Sequence, residues 1–272
     1  MLSEKSFDTG ELPLNYAEGP ASGPPLVLLH GLTGWWHAWE PCLPQLTPTW
    51  HVYAVDLRGH GQSGRPAGHY LLSDYARDMA AFLKQRVVQP VVLMGHSLGA
   101  LTSLAAARLA PDCVRALVLV DPPLATRNAS LSIYPEALGW FQWVYEMVQP
   151  DPTFAEVLER CRMRAPELDP ASLQAMAANI HRVAPGTVAV ALQDQLLDGL
   201  DLGRVAQEIE CPVLLLRGDW SRGSTIRDED ATWFQAQAPQ ARVVQISQGT
   251  HNFLWEQPEI SFAHIHAFLR EV

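Results

Sequence analysis

The chain has 272 residues and a mass of 30.1 kDa, enough for one large domain or for one domain that carries an inserted lobe. Hydrophobic residues make up 48% and charged residues 18%, which excludes a disordered chain and indicates a globular protein. The formal net charge of -10, without any cluster of Lys and Arg, argues against nucleic acid and against an anionic membrane as partners. It favours a neutral or cationic small molecule.

Short apolar runs typical of strands alternate along the chain with helical segments. The strand-like runs cover residues 25–31, 51–61, 90–97, 114–121, 212–219 and 241–246, and a weaker pair at 3–7 and 11–16 predicts an antiparallel hairpin at the sheet edge. Helices are predicted at 73–87, 98–109 and 258–269. This alternation predicts an α/β fold in which helices cover both faces of a mostly parallel, doubly wound sheet.

One long stretch interrupts the alternation. Between Asp121 and Pro212 the sequence contains helix-like segments separated by prolines and no strand-like run. We therefore predict a core domain formed by residues 1–123 and 208–272 and an inserted helical cap formed by residues 124–207. Within the cap, an apolar helix face packs on the main domain, covers a pocket, or does both; it comprises Ile133, Ala137, Trp140, Phe141, Val144, Met147 and Val148.

The cysteines and the N-terminal residues bear on the compartment in which the protein works. The four cysteines, Cys42, Cys113, Cys161 and Cys211, are far apart and form no C-x-x-C pair. The first residues lack a charged and then apolar signal, and no apolar stretch reaches the length of a membrane span. From these observations we expect reduced thiols and a cytoplasmic location.

The strongest chemical motif is MGHSLGA at residues 94–100, in which Gly95 and Gly99 flank Ser97. It follows an apolar strand and precedes an alanine-rich helix. A sharp turn from strand to helix strains the residue at its apex and requires very small residues two positions away on each side. The pattern predicts an exposed serine nucleophile at the N-terminus of a helix.

A serine nucleophile needs a base and donors for an oxyanion. His251, in SQGTHNFLWEQP after the last strand, is the predicted base. The backbone N–H groups of Leu98 and Leu32 are the predicted oxyanion donors, the second because HGL at 30–32 follows an early strand. Two further histidines on the C-terminal helix, His264 and His266, point to different faces, and we expect no metal site.

Four motifs in this order, HGLTG, DLRGHGQSGRP, GHSLGA and GTHNFLWEQP, resemble the α/β-hydrolase superfamily over nearly the whole chain outside the cap. The resemblance implies an eight-stranded sheet, a helical cap after the sixth strand, a Ser-His-acid triad and no cofactor. Serine at position 97 sets the chain apart from the dehalogenase and epoxide-hydrolase branches, which use aspartate there. Ester, thioester, lactone and carbon–carbon bond hydrolysis all stay open.

The third member of the triad has two candidates. Many members of the superfamily place the acid three residues after the glycine that ends the seventh strand, and here that position is Ser221. Asp219 lies in the same loop but two residues early. Asp121 ends an unbroken apolar strand before Pro122-Pro123, where another branch carries its acid. We predict Asp121 as the triad acid and Asp219 as an anchor of its loop.

Tryptophans surround these motifs and suggest an apolar, aromatic pocket. The predicted pocket residues are Gly31, Trp35, Trp36, His96, Trp140, Trp143 and Trp220. The sequence thus predicts hydrolysis of an ester or lactone of a small, neutral and apolar molecule through an acyl-enzyme.

Two other functions stay open. A carbon–carbon bond hydrolase would need a cation for a substrate carboxylate, which the cap could supply from Arg160, Arg162, Arg164 or Arg182. A ligand-binding protein with little turnover would explain the missing acid at Ser221.

Overall fold

The computed structural model describes residues 2–150 and 152–272. Its eight strands are β1 Ser3–Asp8, β2 Pro13–Gly19, β3 Pro25–Leu29, β4 His51–Val55, β5 Val91–His96, β6 Val114–Val120, β7 Val213–Arg217 and β8 Ala241–Gln245. They form one sheet in the order β1-β2-β4-β3-β5-β6-β7-β8. The β1–β2 and β2–β4 pairs are antiparallel and all the others are parallel. This confirms the predicted fold class, including the hairpin at the edge.

Both faces of the central strands are buried, which explains why these segments are continuous apolar runs rather than alternating ones. In β3, Val27 and Leu29 point to one face, whereas Leu26 and Leu28 point to the other. Every residue of β3 and of β5 is buried. Such a sheet needs a layer of helices on each side.

Helices supply those layers. They are α1 Leu43–Leu46, α2 Leu72–Phe82, α3 Leu98–Leu109, α4 Pro135–Met147, α5 Phe154–Arg164, α6 Pro170–His181, α7 Pro185–Leu192, α8 Leu202–Gln207, α9 Asp228–Gln237, α10 Phe253–Glu256 and α11 Pro258–Leu269. Helices α2, α3, α8 and α9 pack on the face that holds Val27, and α1, α10 and α11 pack on the opposite face. The predicted helices 98–109 and 258–269 agree with α3 and α11.

One predicted strand is clearly shorter than expected, and one predicted helix changes its form before its end. The strand predicted at 51–61 stops at Val55, because the chain then turns through Gly59 and Gly61, both at positive φ. The helix predicted at 73–87 changes after Phe82 into a wider π-helical turn that ends at Val88, a residue in the left-handed conformation.

Between β6 and β7 the described residues form helices and no strand. Helices α4 to α7 share a hydrophobic core of their own, built around Val144, Val157, Ala177 and Val188. Helix α8 lies outside it: Leu202, Val205 and Ala206 pack into the core of the main domain. Although the sequence placed α8 in the cap, its packing assigns it to the main domain, so the boundary predicted at 207 lies too far along the chain.

Candidate active site

Ser97 is the single residue between β5 and α3, and its backbone has φ 53° and ψ -116°. Holding a residue other than glycine in such a region costs on the order of 1–3 kcal/mol. The two flanking glycines permit the turn, because a Cβ at Gly95 would lie 2.2 Å from the Gly99 carbonyl oxygen. A Cβ at Gly99 would lie 2.1 Å from the carbonyl oxygen of Leu29. The motif is therefore a packed elbow that presents the serine side chain to a cavity.

His251 and Asp121 meet beside this elbow. The Nδ1 atom of His251 lies 2.7 Å from Oδ2 of Asp121. Because a carboxylate only accepts hydrogen bonds, Nδ1 carries the proton and Nε2 keeps its lone pair. Asp121 is fully buried, whereas the His251 side chain is 28% exposed and lines the same cavity as Ser97. The predicted base and the predicted nucleophile thus line the same cavity, and the predicted acid contacts the histidine from the buried side.

Asp121 is held by the loop that follows β7. Its Oδ1 accepts a hydrogen bond from the Ser224 hydroxyl at 2.6 Å, and its Oδ2 accepts one from the Thr225 N–H at 2.8 Å. The Thr225 hydroxyl donates to the backbone oxygen of Asp121 at 2.7 Å. These donors satisfy the buried carboxylate and fix its rotamer. Sequence reasoning missed Ser224 and Thr225, since an S-T pair in a loop has no distinguishing pattern.

Asp219 has a different set of partners. Its carboxylate accepts hydrogen bonds from the side chain of Gln245 and from the backbone N–H of Gln248. Its own N–H donates to the Gly249 carbonyl oxygen at 2.7 Å. It thus ties the loop after β7 to the loop after β8, which is the anchoring role predicted for it.

The two predicted oxyanion donors lie on either side of Ser97. A Cβ at Gly31 would lie 3.2 Å from Cβ of Ser97, so the backbone of residues 30–32 passes directly beside the serine. Within the described part of the chain, the N–H groups of Leu32 and Leu98 have no acceptor. Both residues line the cavity. Two free donors next to a serine are the arrangement that an oxyanion requires.

Two buried histidines hold this oxyanion segment, residues 30–34. His30 donates from Nδ1 to the Gly31 carbonyl oxygen at 2.8 Å and accepts the Leu57 N–H at Nε2, 3.0 Å away. His60 donates from Nδ1 to the carbonyl oxygen of Arg58 at 2.9 Å and accepts the N–H of Thr33 at 3.4 Å. Burial lowers the pKa of His30 well below its usual range and that of His60 to about 4, so both rings stay neutral.

His96, the residue before the nucleophile, supports the base. It donates from Nε2 to the His251 carbonyl oxygen at 3.0 Å, and the two rings lie 4.4 Å apart. Burial, with the neighbouring His251, lowers the pKa of His96 well below its usual range. A neutral His96 therefore fixes the backbone of His251.

The cavity above Ser97 has a volume of about 980 Å³. Of the predicted pocket residues, Gly31, His96, Trp140 and Trp220 line it. The prediction was wrong for Trp35, Trp36 and Trp143, which do not. Sequence reasoning missed several lining residues that carry no motif, among them Tyr134, Thr187 and Leu196.

Packing explains the three errors. Trp36 is buried beneath the sheet, where its Nε1 donates to Glu4 at 2.9 Å. Trp143 packs against the core of helices α4 to α7. Trp35 turns away from Ser97 and donates from Nε1 to Oδ1 of Asn179 in α6, at 2.7 Å.

Two indole hydrogen bonds join α4 and α6 to the oxyanion segment and to Trp35, the residue that directly follows it. One is the bond from Trp35 to Asn179, and Arg182 lies over the same Trp35 ring, 4.3 Å from its centroid. The other runs the opposite way, from Nε1 of Trp140 in α4 to Oγ1 of Thr33 at 3.3 Å. Thr33 has φ 71°, so it is strained. The inserted helices thus hold the segment that contains Leu32.

The described residues contain no group of three or more His, Cys, Asp or Glu side chains that could hold a metal ion. In the same ranges, no helix is both long and apolar enough to pass through a lipid bilayer.

Comparison with known proteins yields matches both in sequence and in fold. Over 117 residues the chain is 38% identical to the 2-(acetamidomethylene)succinate hydrolase of Mesorhizobium japonicum, covering 43% of this chain and 42% of that protein. A haloalkane dehalogenase of Bradyrhizobium diazoefficiens is 30% identical over 185 residues, 66% of this chain and 56% of the relative. The chain thus spans about half the length of these curated relatives.

The crystal structure of E-2-(acetamidomethylene)succinate hydrolase is similar, with a TM-score of 0.75, 25% identity and coverage of 99% of this chain and 100% of that one. The enol-lactonase of Burkholderia xenovorans gives a TM-score of 0.73 at 18% identity over 98% of this chain and 100% of the other, which shows a shared fold. Residues 24–258 match the sequence profile of the family described as the alpha/beta hydrolase fold. The chain belongs to the α/β-hydrolase family.

Proposed function

We propose that this chain is a serine hydrolase that cleaves a carboxylic ester or lactone of a small apolar or aromatic molecule through an acyl-enzyme. The observation that carries the proposal is that Ser97 and His251 line one cavity, while the buried Asp121 lies 2.7 Å from the His251 Nδ1 atom. Every step below uses only side chains and backbone groups of the chain, the substrate and water.

In the first half-reaction, Nε2 of His251 takes the proton of the Ser97 hydroxyl while Oγ attacks the carbonyl carbon. The carbonyl π bond opens, and the N–H groups of Leu32 and Leu98 bind the resulting oxyanion. The tetrahedral intermediate then collapses, the bond to the alcohol oxygen breaks, and His251 returns the proton to that oxygen. The products are an alcohol and an ester of Ser97.

In the second half-reaction, His251 removes a proton from water, whose oxygen attacks the acyl carbon. The same N–H groups bind the new oxyanion. On collapse, the bond to Oγ breaks, His251 protonates Ser97, and the carboxylic acid leaves. Asp121 keeps the imidazole in the required tautomer and stabilises the imidazolium in both halves.

The arginines needed for the carbon–carbon alternative lie outside the cavity. Arg160 donates to the carbonyl oxygen of Met147 at 2.9 Å, and Arg162 pairs with Glu159 at 3.2 Å. Arg182 stacks on Trp35, and Arg164 is exposed on α5 away from the lining. Because no Lys or Arg of the described residues lines the cavity, a substrate carboxylate would find no cation there. This supports ester or lactone hydrolysis over cleavage of acidic ring-cleavage products.

The lack of Lys and Arg in the described cavity lining also bears on whether the substrates of the relatives would suit this chain. A succinate bears two carboxylates, so the substrate named for the Mesorhizobium protein does not suit a cavity without basic residues. The dehalogenase activity named for the Bradyrhizobium protein does not suit a serine at position 97. The pairing of His251 with Asp121 removes the reason for a ligand-binding protein, since an acid is present although position 221 is serine.

We propose further that helices α4 to α7 act as a cap. Trp140 and Phe141 of α4 line the cavity, while Val144 and Met147 of the same helix pack in the core shared by α4 to α7. One part of the apolar face of α4 therefore covers the cavity, and the rest packs against the other inserted helices. A cap of this kind would select the substrate without taking part in bond cleavage.

A panel of p-nitrophenyl esters of increasing acyl length, simple lactones and an anionic ring-cleavage product tests the proposed reaction. We expect turnover of esters or lactones and none of the ring-cleavage product. Ser97→Ala should lose turnover at the same folded fraction. Turnover of the ring-cleavage product alone would contradict the proposed reaction class.

A further inference from the structure

Among the described residues, the cavity lining contains carboxylates but no Lys or Arg side chain. Apart from histidine and tyrosine, the only ionisable side chains that line it within the described ranges are Glu136 and Asp194. His96 adds no positive charge, because burial keeps its pKa well below the usual range. The whole chain also carries a net charge of -10. A negatively charged substrate would therefore meet repulsion both during its approach and inside the cavity.

Glu136 differs from Asp194 in the state of its carboxylate. The Oδ1 atom of Asp194 accepts the N–H of Leu131 at 2.7 Å and so is used in the fold. Glu136, in the first turn of α4, has no hydrogen-bond or ion-pair partner among the residues that the structure describes. One of its oxygens would lie 3.5 Å from a Cβ placed at Gly223, so the carboxylate lies directly beside the loop after β7.

Aromatic rings surround the same part of the cavity. Trp220, in the loop that Glu136 faces, is 39% exposed and packs on Tyr134 with ring centroids 5.5 Å apart. Both rings line the cavity. Tyr134 itself is buried, so Trp220 supplies the exposed aromatic face. A carboxylate near an exposed indole face is a combination that binds alkylammonium groups, through charge attraction and cation–π contact.

One cation already lies near this corner. The guanidinium carbon of Arg227 is 5.9 Å from the Trp220 ring centroid. Its charge is paired with Asp230 at 2.8 Å and with Glu229 at 2.5 Å, and Arg227 does not line the cavity. Arg227 thus leaves the Glu136 carboxylate without a counter-ion.

We propose that the natural substrate of the cavity carries a cationic group, and that Glu136 together with Trp220 binds that group. The inference rests on the proposed function and refines its substrate class: an ester or lactone of an alkylammonium compound, in which an apolar or aromatic part is joined to a charged group. Glu136 acts in substrate selection and has no part in bond cleavage. The closing experiment separates this binding role from hydrolysis.

Isosteric ester pairs test the charge preference. On the acyl side, p-nitrophenyl 4-(trimethylammonio)butanoate is compared with p-nitrophenyl 5,5-dimethylhexanoate, in which carbon replaces the charged nitrogen. On the alcohol side, the acetate of (3-hydroxypropyl)trimethylammonium is compared with that of 4,4-dimethylpentan-1-ol. All four are followed by proton release. We expect the cationic member of at least one pair to have a kcat/KM about fivefold to tenfold higher in low salt.

The control uses a second glutamate of the same helix. Glu136→Gln should bring the cationic-to-neutral ratio close to 1, and high salt should lower the wild-type ratio in the same direction. Glu146→Gln makes the same charge change at an exposed position of α4 that does not line the cavity, and its ratio should equal that of the wild type. A wild-type ratio of 1 or below for both pairs, or equal ratios in the two variants, would overturn the inference while leaving the hydrolase intact.

Failure to hydrolyse any ester would count against the proposed function. In that case, direct binding of the charged and uncharged alcohols tests the cationic subsite. Calorimetric titration with (3-hydroxypropyl)trimethylammonium and with 4,4-dimethylpentan-1-ol needs no turnover. Tighter binding of the cation by wild type than by Glu136→Gln supports the cationic subsite. Equal binding of the cation by both proteins contradicts it.

Discussion

Asp121 Oδ2 lies 2.7 Å from His251 Nδ1, although 130 positions separate the two residues in the chain. Asp121 directly follows β6 and adopts φ 47°, which turns its side chain out of the strand direction. The Ser224 hydroxyl and the Thr225 N–H hold the carboxylate from the opposite side. The acid next to the histidine is therefore at the end of the sixth strand, and the loop of the seventh strand supports it.

The first prediction concerns this pair. Asp121→Asn should lower kcat/KM by on the order of 10⁴, since an amide no longer selects the productive imidazole tautomer. Asp219→Asn should retain most of the activity, because its carboxylate binds Gln245 and the backbone of Gln248 and has no contact with His251 among the residues that the structure describes. Steady-state ester hydrolysis at equal folded fraction, checked by circular dichroism, measures both variants. A larger loss for Asp219→Asn would show that the loop after β7 rearranges to bring Asp219 to the imidazole.

The sequence predicted those parts of the site that depend on local constraints. The elbow at Ser97 requires two glycines and sits between a strand and a helix, so its pattern is contained in seven residues. Asp121 could be recognised because an unbroken apolar strand ends there. The partners of Asp121 could not, since Ser224 and Thr225 approach it only through the pairing of β6 with β7.

The sequence also could not predict in which direction the large side chains point. Trp35 and Trp36 are neighbours, yet neither enters the cavity: one contacts Asn179 and the other is buried against the sheet. Composition reveals that tryptophans are present, but tertiary packing decides which face they occupy. Helix α8 was misplaced for a similar reason, because its sequence does not show which hydrophobic core it joins.

The second prediction concerns the nucleophile. A fluorophosphonate should attach covalently to Ser97, because the elbow exposes its hydroxyl beside the free N–H groups of Leu32 and Leu98. Intact-protein mass spectrometry should show one adduct, and peptide mapping should locate it at Ser97, with loss of turnover. Ser103 of α3 is the internal control, since its hydroxyl is buried and donates to the Gly99 carbonyl oxygen at 2.8 Å. An adduct elsewhere, or an active Ser97→Ala variant, would reject this assignment.

The third prediction concerns the packing of the elbow. Gly99→Ala should destabilise the fold by roughly 3 kcal/mol or more, because its Cβ would meet the backbone oxygen of Leu29 at 2.1 Å, and backbone cannot move aside cheaply. Gly139→Ala is the matched control, since a Cβ at this exposed helical site meets nothing within 4 Å. It should stabilise the protein by about 0.5–1 kcal/mol. Urea unfolding measures both changes, and similar free energies for the two variants would contradict the packed elbow.

The fourth prediction concerns the link between the inserted helices and the oxyanion segment. Trp35→Phe removes the N–H donated to Asn179 but keeps a ring beneath Arg182. Because this bond helps to hold the segment that contains Leu32, we expect kcat to fall about threefold to tenfold. Trp143→Phe makes the same change in a tryptophan that contacts neither the cavity nor the segment, so it should keep the wild-type kcat. Equal kcat values for the two variants would exclude a role for the indole bond in catalysis.

The fifth prediction concerns the pH dependence of stability. Burial lowers the pKa of His60 from its usual 6.5 to about 4. As the pH falls through 6.5, the unfolded chain binds a proton at this position while the folded protein does not, so protonation favours unfolding down to about pH 4. Between pH 7.5 and pH 5, His60 should lower the free energy of unfolding by about 2 kcal/mol. Buried His30 and His96 act in the same direction.

His60→Gln isolates the contribution of this one ring. The variant should be less stable than wild type at pH 7.5, since it disturbs the bonds to Arg58 and Thr33, but its loss of stability on going to pH 5 should be smaller by about 2 kcal/mol. His264→Gln, at an exposed position of α11, should show the full wild-type loss. Urea unfolding of the three proteins at the two pH values gives the comparison. If His60→Gln and wild type lose equal stability, His60 is not the neutral, buried support of Thr33 that its contacts indicate.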